Sequence, residues 1–329
     1  MIRQTVKRVF ASRTGWRSSA PIRKAGSYVL TYHRVGTPAH RFPHMDAGVF
    51  RAHMEWVRDN CDPIAPPDFR RATLRPSRAR PPVLVTFDDA YTDFFECAYP
   101  VLERLQIPAV CFVPTDFVDR RLPFWWDVLH SAVEACTLDE VRVPWTPGAP
   151  PLAMSGGGSQ ALLRAAKTQI KQLPDEAQEP TVAQLVAALG VDRDRLAVDA
   201  STMTWDQIRS TTGLVTYGGH THTHAIMPVL SAEQLRLEID TCRDRLAAET
   251  GTAPSLFAYP SGAFNEQVKA AVRAAGFDLG FSTLEGVNGA ATDWMEIRRV
   301  HGPASADELP WLLSGIRLEM SQTRGSGPA

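Results

Sequence analysis

The run Val83-Leu84-Val85-Thr86-Phe87-Asp88-Asp89-Ala90-Tyr91 constrains this chain more than any other stretch. Its first half is short, apolar and rich in β-branched residues. Entered through Pro81-Pro82 and closed by two carboxylates, it has the pattern of a buried parallel strand. In α/β folds, ligands meet the protein at the C-terminal ends of such strands. Two adjacent acids there cannot both point into an apolar core, so one reads as a cation holder and the other as a proton carrier. The plainer alternative for Asp88-Asp89 is a solvated turn capping the next helix, since Asp is a common N-cap.

A second stretch tips the choice. Leu214 to Tyr217 is apolar, and the chain then reads Gly218-Gly219-His220-Thr221-His222-Thr223-His224. His220 and His224 have a spacing that suits one metal bound from one face of a turn. His222 shares that face only if the segment stays extended. A polar loop or an adventitious metal site is the plain alternative. Acids on one strand end and imidazoles on another make a His-His-Asp set that leaves room for water, as a catalytic zinc needs.

Together the two stretches resemble the NodB-homology polysaccharide deacetylases, carbohydrate esterase family four. Thr86-Phe87-Asp88-Asp89-Ala90-Tyr91 looks like the family's T-F-D-D-G motif, with Ala90 in place of Gly. His220 to His224 is similar to its second motif. The resemblance runs from about Tyr28 to about His301. It implies metal-dependent removal of acetyl groups from an N-acetylated sugar, on a distorted (β/α)7 TIM-like barrel. Under it, Asp89, His220 and His224 hold a divalent metal, zinc by preference, with nickel, cobalt and manganese as alternatives. Asp88 is the general base.

Tyr32-His33-Arg34-Val35 resembles an N-terminal motif of the branch that includes deacetylases of exopolysaccharide poly-N-acetylglucosamine, which makes His33 the candidate general acid. His301 is the second candidate, because no copy of the family's late Leu-x-His motif is evident. The third motif, usually R-x-P-Y, corresponds here to Ala258-Tyr259-Pro260-Ser261-Gly262. Tyr259, Pro260 and Ser261 are thereby placed at the substrate, with the Ser261 N–H as oxyanion donor. The motif's Arg, which orients the base, is missing. Arg298 or Arg299, near the end of the last strand, is the expected replacement, although both could be surface charges.

Strands alternating with helices predict an α/β parallel sheet of about seven strands. Residues 127–203 carry little strand signal and read as a mainly helical insertion, a lid or a lateral subdomain, within a barrel spanning 27–320. Residues 1–26 form a basic extension and 321–329 a flexible tail. A net charge of −1 gives no global field for nucleic acid. The five cysteines are scattered, with no paired spacing, and favour a reducing compartment. Cys97, Cys111 and Cys136 read as core residues. No secretory signal or membrane span is evident, which predicts a cytoplasmic protein. Ile2, Val6, Val9 and Phe10 share a helical face that would make a weak membrane-surface contact; a frayed terminus is the alternative. The expected partner is an N-acetylated glycan or glycolipid. Two rival functions remain: hydrolysis of another C–N bond on a sugar precursor, by a deformylase or amidase, and an inactive glycan-binding barrel.

Overall fold

The computed structural model describes residues 12–37, 42–121, 123–146, 148–173, 175–198 and 201–315. Its main sheet has eight strands: β1 (Tyr28–Tyr32), β2 (Asp62–Pro63), β3 (Pro82–Phe87), β4 (Ala109–Val113), β5 (Val215–Gly219), β6 (Leu256–Ala258), β7 (Leu279–Phe281) and β8 (Val300–His301). They run in the order β7-β6-β5-β4-β3-β1-β8, with β2 beside β3, and every pairing is parallel. The two edges are linked through the residues leading into β8. Ile297 bridges Phe281, donates its N–H to Gly280 O at 2.8 Å and accepts from Ser282 N at 2.9 Å. The result is the distorted (β/α)7 barrel that the sequence predicts.

All of β1, β3 and β4 is buried, as continuous apolar runs require in a sheet covered on both faces. Alternate side chains of these strands, among them Leu30, Val85 and Cys111, form the main core with Phe50, Met54, Leu102 and Leu246 from surrounding helices, while Val29, Leu84 and Val110 pack into a second core. At Gly218, a Cβ would lie 2.7 Å from both Leu256 O and the Phe112 ring, so only glycine lets β5 pass between them on its way to His220.

Local chemistry sets the helix starts. Asp46 caps helix Ala47–Asn60 by accepting from Gly48 N and Val49 N, and Ser231 with Gln234 forms a capping box on helix Ala232–Thr250. Residues Thr92 to Gln106 do not form one continuous α-helix. The chain instead makes a π-helical turn over Phe94–Ala98 and then an α-helix over Tyr99–Leu105, with Pro100 in the first turn, where its missing N–H does no harm. The last strand is only two residues long, Val300–His301. The last described helix is Leu309–Leu313, and it stops before Gly315, which has a left-handed φ of 76°.

Residues 120–202, with Phe42, form a second compact unit. Its helices Trp125–Ala135, Gly158–Ile170 and Asp175–Ala188 bury Leu129, Leu162, Ile170, Val182 and Leu185 in a core of their own. A two-stranded antiparallel ribbon, Glu140–Val141 with Leu152–Ala153, interrupts the helices. Part of the basic extension is ordered. Helix Arg13–Ser18 buries Trp16, which packs edge-on against Trp56. The proposed amphipathic face at Ile2 to Phe10 and the tail lie outside the described residues. All five cysteines are free; Cys61, Cys111 and Cys242 are buried, whereas Cys97 and Cys136 are only half-buried. No helix among the described residues is long and apolar enough to cross a membrane.

Candidate active site

The C-terminal ends of the parallel strands gather the residues singled out in the sequence. β3 delivers Asp88 and Asp89, β5 delivers His220, β1 delivers His33, and β8 carries His301 with Arg299 just before it. The backbone there is strained. Seven non-glycine residues have positive φ among those described, and five lie at these strand ends: Asp89 (73°), Ala90 (51°), Thr221 (58°), His224 (61°) and Ser261 (54°). Each left-handed side chain costs roughly 1–2 kcal/mol, and such clustering marks a site whose surroundings over-determine its geometry. The φ of Ala90 also explains why the family pattern has Gly there. With a small side chain and its carbonyl taken by Met203 N at 2.8 Å, Ala90 adopts the same turn.

Asp89 faces both imidazoles. Its Oδ1 lies 3.6 Å from His220 Nε2 and 3.4 Å from His224 Nε2. The ligand atoms of the three residues all fall within 4.8 Å of one another. His220 Nδ1 lies 2.7 Å from the Ala258 carbonyl, which can only accept, so Nδ1 carries the proton and Nε2 presents a lone pair. Burial lowers the His220 pKa, outweighing Asp88 and the Ala258 hydrogen bond, which favour its charged form. A neutral Nε2 and a carboxylate oxygen are both acceptors. They repel unless a cation sits between them. Tetrahedral zinc with bonds of ~2.1 Å sets ligand atoms about 3.4 Å apart, so the donor set fits such an ion in both chemistry and spacing.

Asp88 is turned the other way. Arg299 clamps it with two parallel hydrogen bonds, Nη1 to Oδ1 at 2.7 Å and Nη2 to Oδ2 at 2.8 Å, while Arg299 Nε donates to Ser282 O at 2.8 Å. Burial alone would raise the Asp88 pKa. The Arg299 charge, with His33, His220 and the hydrogen bonds, overcomes it and holds this carboxyl well below the usual carboxylate range. Arg298 does not enter the site. Its guanidinium reaches Glu285 O and its backbone pairs with Asn288. Adjacent residues leave an extended segment on opposite sides, which is why the two arginines have such different surroundings.

His33 Nε2 lies 3.7 Å from Asp88 Oδ2, and the His33 ring stacks beside His301 with centroids 6.1 Å apart. Burial pushes the His33 pKa down to about 4, helped by Arg299 and His301 and opposed by Asp88. Even so, 43% of the His33 side chain is open to solvent.

The third-motif residues divide. Ser261 is exposed in its left-handed turn beside buried Pro260. The Tyr259 side chain is not brought into the site: it is buried, donates its hydroxyl to Met295 O at 2.7 Å, and has its N–H taken by Phe281 O. His222 does not share the face of the other two histidines. Its Nδ1 meets Thr115 Oγ1 at 2.8 Å, and its carbonyl accepts from Asp116 N. Two braces went unread in the sequence, the Ser282 carbonyl behind Arg299 and the Glu238 carboxylate against the histidine loop.

The polysaccharide deacetylase family model matches residues 75–139 and 194–280. The YxkH protein of Bacillus subtilis (strain 168), named for the same family, is 36% identical over 90 residues, which cover 26% of this chain and 30% of that relative. Among solved structures, the Streptococcus pyogenes deacetylase PplD, in complex with acetate, is similar at a TM-score of 0.59 and 17% identity, covering 88% of this chain and 98% of that one. IcaB from Ammonifex degensii gives 0.56 and 21%, covering 89% and 97%. The two structures share the fold, and the family-model match spans both the acidic and the histidine motifs. Over residues 75–139 and 194–280 the chain is thus similar in sequence to the polysaccharide deacetylases.

Proposed function

We propose that this chain is a metal-dependent hydrolase that removes acetyl groups from N-acetylated sugar units of a glycan or glycolipid. The observation that carries this reading is the division of labour between adjacent acids: Asp89 faces two imidazoles, while Asp88 is held ionised by Arg299. A divalent ion on Asp89, His220 and His224, zinc by preference, supplies Lewis acidity and a water of lowered pKa. Asp88 accepts a proton from the attacking water. Its low pKa keeps it ready to do so through the neutral range. Ser261, an exposed residue in the turn after β6, offers its N–H to the oxyanion. His33 delivers a proton to the departing sugar nitrogen. Its open side chain exchanges protons with solvent, and ionised Asp88 beside it offsets part of the burial effect that lowers its pKa. An absent motif Arg would favour an inactive barrel, and Arg299, just before the last strand, weakens that reading.

Acetate release from N-acetylglucosamine oligomers tests the proposal, with the N-formyl analogue run alongside. Chelation should lower the rate more than about 100-fold, and stoichiometric zinc should restore it. Full turnover by metal-free protein would refute the reading. Preference for the formyl substrate would move it to the deformylase alternative.

The two candidate acids separate by mutation. His33→Ala should cut kcat by about 10²–10⁴, and His301→Ala by less than about 10-fold, because only His33 comes within 4 Å of Asp88. Equal losses would remove His33 from the acid role.

A further inference from the structure

We propose that Glu238 is a positioning residue that presets the geometry of the two metal-facing histidines. It sits on helix Ala232–Thr250, away from the strand ends that supply the site itself. Its Oε2 accepts from the backbone N–H groups of both His222 and Thr223, each at 2.9 Å, and its Oε1 accepts from Thr223 Oγ1 at 2.9 Å. One carboxylate therefore holds the middle of the loop between His220 and His224. Thr115 and Asp116 brace the other side of that loop through His222.

The loop needs an anchor because two of its residues are strained. Thr221 and His224 both adopt left-handed backbone, Thr221 with a β-branched side chain that disfavours it. Without Glu238 the His222 and Thr223 N–H groups lose their shared acceptor, and the loop can relax toward ordinary φ values. Relaxation would carry the His224 imidazole, at the loop's far end, away from the 3.4 Å approach to Asp89. His220 would move less, because Ala258 fixes it independently. Glu238 touches neither metal-facing nitrogen. Its effect passes through the backbone, so it should appear in metal affinity before it appears in chemistry.

This inference rests on the metal reading above, and the experiment separates the two. Zinc affinity is measured by competition with a chromophoric chelator for wild type, Glu238→Ala and Glu238→Gln, beside thermal unfolding of each zinc-free protein. Glu238→Ala should bind zinc about 10–100-fold more weakly, and its kcat should return to within a few-fold of wild type at saturating zinc. Glu238→Gln should lose less, since its amide oxygen can still accept both backbone N–H groups. If Glu238→Ala does not fold, a zinc affinity for Glu238→Gln between 2- and 10-fold weaker than wild type supports the proposal, and an unchanged one overturns it. A Glu238→Ala protein that unfolds earlier yet binds zinc as tightly as wild type would make Glu238 merely structural. A wild type that binds no zinc would overturn the metal reading first, and this inference with it.

Discussion

Asp88→Asn is expected to lower kcat by about 10³-fold while leaving zinc content and substrate KM near wild type. The amide is almost isosteric but cannot take a proton from water. Loss of a general base is worth about 10²–10⁴ in rate, or roughly 3–5 kcal/mol of barrier at 1.36 kcal/mol per decade. Metal should stay, because the nitrogens of His220 and His224 face Asp89 and not Asp88. The substitution is not silent, since one of the two Arg299 hydrogen bonds then meets an N–H group instead of an oxygen. Some stability loss will accompany it, so kcat must be read on protein shown to be folded and zinc-loaded. Undiminished turnover would remove Asp88 from the base role. Loss of zinc together with turnover would instead make Asp88 part of the metal set.

Much of this site is legible in the sequence because strand ends announce themselves. An apolar run that stops at Asp88-Asp89, and another that stops at His220, need no tertiary information to be read as strand termini facing ligand. The contributors that resist reading are those whose orientation depends on register. Arg298 and Arg299 are equivalent in sequence. Which one reaches Asp88 is decided by how the residues before β8 join β7 and β1, and a one-residue slip would exchange them. Tyr259 follows a strand just as His220 does, yet its hydroxyl turns inward to the Met295 carbonyl. Glu238 did leave a trace. Helix Ala232–Thr250 buries Leu235, Ile239, Cys242 and Leu246, and Glu238 falls on that same stripe, three residues after Leu235 and four before Cys242. A carboxylate on an apolar helix face needs a partner, and that partner is the histidine loop. The independent core of residues 120–202 was partly readable from its helical periodicity. Its ribbon was not, because strands of two residues carry no period.

Arg299→Met should cost about 3–5 kcal/mol of stability, seen as a fall in Tm on the order of 10 °C, and should also shift the pH profile. Both partners are buried, Arg299 to 1% and Asp88 to 3% exposure, so removing the cation strands a carboxylate that solvent barely reaches. The Ser282 carbonyl loses its Arg299 donor as well. In the wild type the folded Asp88 pKa lies below the unfolded value of about 3.9. Its ion pair therefore stabilises fully above that value and is lost only as the pH falls through the folded pKa. Without Arg299 the burial contribution is no longer outweighed, and the folded pKa rises above the unfolded one. Asp88 then destabilises the fold at neutral pH, and this penalty fades as acid protonates it. The gap in Tm between wild type and Arg299→Met should thus be widest near pH 7 and narrow toward pH 4. The acid limb of kcat/KM should move upward, because the base is now protonated over part of the working range. Adding Asp88→Asn to Arg299→Met replaces the stranded charge with a neutral amide and should recover much of the lost Tm without recovering turnover, which gives the double-mutant cycle a large coupling energy. An Arg299→Met protein with wild-type Tm at pH 7 and an unmoved acid limb would mean that the guanidinium does not tune this carboxylate.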